Sequence, residues 1–186
     1  MRYFYLCAFL SLTMILSACN TTPYGKATVY YDREEFPAQL VKDFPELTDP
    51  ILQHGRCSTI ISTPGSNTGA YYLCTYALTA NGLYVQEWDA KALRYVEIVH
   101  VKISKLQKIA LHNFFRTKQL QLTEERRQIA LSVSTDGGEF INGTATESLF
   151  EAIKSKGVPV VKSEGLISSP RSASPVVIPV FIKKYR

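Results

Sequence analysis

The chain has 186 residues, 46% hydrophobic and 20% charged, with a formal charge of +5. This composition suffices for one packed domain and excludes a wholly disordered chain, and the modest positive charge falls short of a nucleic-acid-binding arm. Tyr (11) and Phe (9) far outnumber Trp (1), and β-branched residues are plentiful, so strands are expected to dominate.

Residues 1–18 read as a targeting segment. Arg2 supplies a positive start, and residues 3–16 form a nearly unbroken apolar run. The run is shorter than the ~20 residues a bilayer-spanning helix needs, but it suits a signal peptide. It ends in Leu16-Ser17-Ala18-Cys19, which resembles the lipobox of bacterial lipoproteins. That resemblance implies lipidation of Cys19, cleavage before it, and anchoring by several acyl chains, a stable attachment where one chain is marginal. Asn20, rather than Asp, follows the cysteine. By resemblance to Gram-negative sorting, this implies the outer membrane, with the domain facing the periplasm. Cys7 leaves with the signal, so Cys57 and Cys74 remain as a pair in a compartment that permits disulfides. A structural bridge between them is expected.

Residues 19–25 form a polar tether. Residues 26–55 read as an N-terminal extension holding a strand at 27–31, a short helix at 38–44 entered through Pro37, and another around 51–54 after Pro50. Strands follow at 57–63, 70–79, 83–88, 93–101, 106–112, 118–123 and 128–134, with turn-forming residues between them. Asn81-Gly82 between apolar runs signals a hairpin whose two turn residues take positive φ. Thr144 and Glu147 suit a capping box. They open an amphipathic helix over 147–156, whose Leu149, Phe150 and Ile153 are expected to bury against Leu83, Val85, Ile109, Leu120, Leu122 and Leu131. The tail, 158–186, is rich in Pro and Ser, with a linker at 168–174 and an edge strand at 176–182.

The fold class is therefore mainly β with one C-terminal helix. Seven strands closed by a helix resemble the pleckstrin-homology-like superfold over residues 56–157. The 77–85 hairpin and the 103–109 segment also resemble that family's hairpin and its transition between sheets. An antiparallel sandwich of another topology is the alternative.

Chemistry leaves few marks. No G-x-S-x-G elbow, P-loop, H-E-x-x-H or Rossmann fingerprint occurs, and His54, His100 and His112 lie far apart with no ligand partner at metal spacing. No catalytic residue, metal or cofactor is assigned, and nucleic acid is not an expected partner. Lys102, Lys105 and Lys108 read as a solvated face, as do the turn carboxylates Glu87, Asp89, Asp136 and Glu139. Adjacent residues of an extended segment point to opposite faces, so Phe114 and Phe115 cannot both enter the core. One of them is expected to be exposed beside Arg116 and Lys118, which suits docking to a partner or to lipid headgroups. The resemblances together imply a non-enzymatic binding module for an envelope protein or peptide. The alternatives are a lipid- or lipopolysaccharide-binding module and an enzyme whose site only the fold assembles.

Overall fold

The computed structural model describes residues 29–115 and 117–169. Seven strands form one antiparallel sheet: β1 (Gln53–Ser62), β2 (Ala70–Leu78), β3 (Gly82–Asp89), β4 (Arg94–Lys102), β5 (Lys108–Phe114), β6 (Thr117–Thr123) and β7 (Gln128–Val133), in the order β4-β3-β2-β1-β7-β6-β5. The central strand β1 pairs with β2 from Gln53↔Leu78 to Ile61↔Ala70 and with β7 from Cys57↔Val133 to Ser62↔Gln128. Helix α1 (Phe36–Asp43) precedes the sheet and α2 (Gly143–Lys154) follows it. The molecule is thus mainly β with a C-terminal helix, and each of the seven expected strands is present with ends shifted by a few residues.

Period-two alternation divides the side chains of the sheet between two faces. One face carries Tyr76, Leu78, Leu83, Val85, Val101, Ile109, Leu120, Leu122, Ile129 and Leu131, all nearly or fully buried in a single cluster with Leu149, Phe150 and Ile153 of α2. The expected core is the observed one. Thr146, Leu149, Phe150 and Ile153 fall at helical spacing on the buried stripe of α2, as an amphipathic helix requires. The opposite face is covered by the chain's own ends. Phe36 and Leu40 of α1 pack with Leu47 on Ala77 and Tyr95, and Ile167 covers Ile60 and Ala130.

Several local expectations are corrected. Residues 29–31 are irregular rather than strand, and residues 27–28 lie outside the described residues. The helix expected around 51–54 is absent because the Leu52 amide donates to the Leu78 carbonyl (2.8 Å), leading Gln53 and His54 into β1. Neither Asn81 nor Gly82 has positive φ. The turn is held instead by the Thr79 hydroxyl, which accepts from the amides of Asn81 (3.3 Å) and Gly82 (3.1 Å). Glycine at 82 also leaves room for the His100 ring: a Cβ there would stand 2.5 Å from its Nε2 and push the ring aside.

The helix N-cap is Asn142, whose Oδ1 accepts from the Ala145 amide (3.0 Å), rather than Thr144. Glu147 pairs with Lys118 instead of closing a capping box. Helix α2 accordingly starts at Gly143, earlier than its sequence suggests. Thr146, fully buried, joins helix to sheet: its hydroxyl donates to the Asn142 carbonyl and accepts from the Val133 amide, both at 3.0 Å. Residues 158–169 pack against the sheet, so Ser168 and Ser169 are fixed in place rather than starting a linker. The signal, Cys19, the tether and the 176–182 strand lie outside the described residues.

Two substitutions test this packing. Phe150→Ala should cost about 3–5 kcal/mol in chemical denaturation. Thr146→Val keeps the shape but leaves the buried Val133 amide unpaired, and should cost about 1–3 kcal/mol. A loss well below these values would place α2 outside the cooperative core.

Candidate functional site

Strands β5 and β6 pair from Lys108↔Thr123 to Phe114↔Thr117, leaving residues 115 and 116 as the loop. The Thr117 hydroxyl donates to the Phe114 carbonyl (2.7 Å), tightening it. Phe115 adopts φ +52°, a left-handed conformation that costs an L-residue roughly 1–2 kcal/mol. Its side chain is 93% exposed and that of Phe114 is 55% exposed. The two rings meet edge to face with centroids 5.0 Å apart. Both phenylalanines therefore lie in solvent, where the sequence called for one. Arg116 is outside the described residues, and the Lys118 ammonium is turned back to the Glu147 carboxylate.

A second apolar pair escaped the sequence reading. Phe140 (70% exposed) and Ile141 (40% exposed) sit in the loop between β7 and α2. The signal was there: two bulky apolar residues between Gly137-Gly138 and Asn142-Gly143. The loop folds back on the end of β7, with the Thr135 amide bound to the Phe140 carbonyl (2.8 Å) and the Asn142 amide to the Val133 carbonyl (2.7 Å). Glycine is required at 138, where φ is +77° and a Cβ would stand 2.8 Å from the Arg56 guanidinium carbon. Arg33 makes a two-pronged pair with Asp136 at 2.8 and 2.9 Å, fastening the N-terminal segment to this same loop.

The free edge of β5, beside α2, is the place where an extended peptide would add as a strand. The chain's own residues occupy its start, at Ile109. The Ile109 amide donates to the Pro159 carbonyl (2.8 Å), and the Val161 amide donates to the Ile109 carbonyl (2.9 Å). The segment then crosses the outer face under two buried glutamines. The Gln119 amide group receives the Ile167 N–H (3.0 Å) and donates to the Ile167 carbonyl (2.9 Å). Gln121 donates to the Gly165 carbonyl (2.7 Å).

An open cleft of about 680 Å³ lies between the β2–β3 turn, the end of β4 and the end of α2, lined in part by Tyr84, His100, Lys102 and Lys156. His100 stacks on Tyr84 at 4.0 Å. The C-terminal end of α2 brings partial negative charge to this cleft, which opposes anion binding despite the two lysines. A smaller cleft, about 320 Å³, holds His54, Tyr76 and Asp136. There the Tyr31 hydroxyl is 3.1 Å from Nδ1 of His54, and burial pushes the Tyr31 hydroxyl up to about 12. His112 contacts the Ser163 hydroxyl (3.1 Å) on the crossing segment. The three histidines thus sit in separate surroundings, and among the described residues no group of three or more His, Cys, Asp or Glu could hold a metal ion.

Cys57 and Cys74 are direct cross-strand partners on β1 and β2. The expected disulfide is not formed in this structure: both are buried thiols, and the Cys74 S–H donates to the Cys57 carbonyl (3.2 Å). Burial pushes the Cys57 thiol well up, so in the reduced fold it stays protonated.

Burial lowers the affinity of His54 and His100 for a proton. An unfolded imidazole takes its proton near pH 6.5. Acidification through that value therefore protonates the unfolded chain first and destabilises the fold, with full stability above it and a levelling off below the folded pKa values. The thermal midpoint should fall between about pH 7.5 and about pH 5.5, and fall less in the His54→Gln/His100→Gln variant.

No protein-family model matches the chain, and no curated protein matches it in sequence. Among solved structures, the chain is similar to the hSac2 domain from human phosphoinositide phosphatase Sac2, at 12% identity and a TM-score of 0.44, over 75% of this chain and 95% of that one. A likeness of this size carries neither substrate nor activity across.

Proposed function

We propose that this chain is a lipid-anchored, non-enzymatic docking module of the Gram-negative outer membrane, built on a pleckstrin-homology-like domain. The strand order β4-β3-β2-β1-β7-β6-β5 with a helix after the last strand supports the domain assignment. The lipobox at Cys19 supports the anchor. The observation that carries docking is the β5–β6 tip, with Phe114 and Phe115 held in solvent and Phe115 in a strained conformation. Strain at an exposed aromatic does nothing for the fold, and such strain gathers at binding elements. Peptide capture by strand addition at β5 loses support, because residues 159–161 already bind both backbone groups of Ile109 and shorten the open edge to the stretch beside the tip. A docking role at the tip is the better reading.

Two experiments test it. Phe115→Gly should raise stability by about 1 kcal/mol, since glycine accepts positive φ, while association with outer-membrane fractions of the unanchored Cys19→Ala protein weakens severalfold. Opposite signs on stability and association mark a binding residue, whereas joint loss would make the tip structural. Compartment is tested at Cys57 and Cys74. Direct antiparallel partners stand about 4.5–5.5 Å apart between Cα atoms, within the roughly 4.4–6.8 Å a disulfide spans. The fragment holding Cys57 and Cys74 should be two hydrogens lighter from protein matured through the signal than from protein made without it, and two free thiols in both would remove the oxidising compartment.

A further inference from the structure

Register and hydrogen bonds place the tip and the β7–α2 loop at one end of the molecule. Strand β6 pairs with β7 from Leu120↔Leu131 to Thr123↔Gln128. Continuing that register would set Lys118 opposite Val133. The Val133 carbonyl instead takes the Asn142 amide and the Val133 amide takes the Thr146 hydroxyl. Residues 140–142 thus fill the space alongside β7 that the start of β6 leaves. Lys118 pairs with Glu147 on the first turns of α2 beside them. Phe114, Phe115, Phe140 and Ile141, four exposed apolar side chains on two loops, therefore project from the same end.

The chain enters at that end. The Val29 carbonyl is held by the Arg56 guanidinium (3.4 Å), against which Gly138 packs, and Arg33 is fastened to Asp136. Cys19 precedes Val29 by ten residues, a reach of at most about 35 Å, against a radius of gyration of about 14 Å for a domain of this size. An anchored Cys19 thus holds the leaflet within about one domain diameter of this end. Charge selects the kind of surface. Arg33 is neutralised by Asp136 and Lys118 by Glu147, and Glu139 adds an exposed carboxylate to the loop. A rim whose described residues carry no excess positive charge, set around protruding aromatic rings, suits a zwitterionic headgroup layer, where apolar insertion and not charge provides the attraction.

We infer that Phe114, Phe115, Phe140 and Ile141 form a bilayer-seating face that inserts into the zwitterionic leaflet carrying the chain's own lipid anchor. This rests on the reading of the tip as a docking element and of Cys19 as the anchor, and it adds the Phe140–Ile141 loop and names the partner. The test uses the full lipidated protein in phosphatidylcholine vesicles. Phe115→Cys, Phe140→Cys and Glu125→Cys each receive an environment-sensitive fluorophore. Glu125 lies in the β6–β7 turn, at the far end of β6 from the tip, and Cys57 and Cys74 are buried and stay unlabelled whether bridged or not. Lipids bearing a quencher should dim the labels at 115 and 140 severalfold and leave the label at 125 unchanged. The quenching should survive high salt and need no anionic lipid.

Equal, weak quenching at all three positions overturns the seating face, as does a requirement for anionic lipid. If the label at 115 is exposed on pure vesicles but shielded in native outer-membrane fractions, the lipid inference falls and docking to a protein stands. If it is exposed in both, the docking reading falls too.

Discussion

A sheet that stays open has two edge strands, and each presents a row of N–H and C=O groups that must find partners or be guarded from other chains. Much of what lies outside the core of this protein answers that requirement. On β4 the Tyr95 amide is taken by the Asp43 carboxylate at the end of α1 (2.8 Å), and the His100 carbonyl is taken by Arg127 (2.7 Å). On β5, residues 159–161 bind both backbone groups of Ile109. Each edge is thus guarded at particular backbone groups by residues of the same chain, and the stretch of β5 between Ile109 and the tip is left to side chains.

The outer faces follow the same logic. The sheet's inner side is filled by α2, but alternation also directs Ala77, Tyr84 and Tyr95 outward on one half and Ile60 and Ala130 outward on the other. Leaving such surface in water would forgo roughly 25 cal/mol for every Å². The N-terminal helix and the residues after α2 cover these two halves separately. Anchoring polar atoms make the covers specific: Asp43 and Arg33 for the first, Gln119 and Gln121 for the second.

These two covers also separate what could be read in the sequence from what could not. The strands were legible because alternation and turn residues are local, and because Leu149, Phe150 and Ile153 state a helical period in a few residues. The cysteines stand directly opposite each other in the register, as a bridge between them requires. Their redox state has no such signature. Outside α1 the covers have no period, so residues 29–31 and 51–54 suggest elements they do not form. The path of residues 158–169 depends on glutamine side chains some 40 residues earlier, which no local pattern reveals. The φ of Phe115 was equally hidden: a two-residue loop demanded it from a residue type that ordinarily refuses it. The Asn142 cap was masked by Thr144-Glu147, which satisfied the capping rule on paper while the backbone turned two residues sooner.

The crossing segment bears on what counts as the domain. A fragment ended at Gly157 would keep all seven strands and α2, and by element boundaries would look complete. It would also uncover Ile60 and Ala130, leave the two buried glutamine amides without the Gly165 and Ile167 backbone, and expose the β5 edge as a template for another chain. Such a fragment would be prone to pair with copies of itself. The smallest well-behaved unit therefore runs past its last helix at least through Ile167, and the irregular residues after Gly157 help to shield the sheet from self-association.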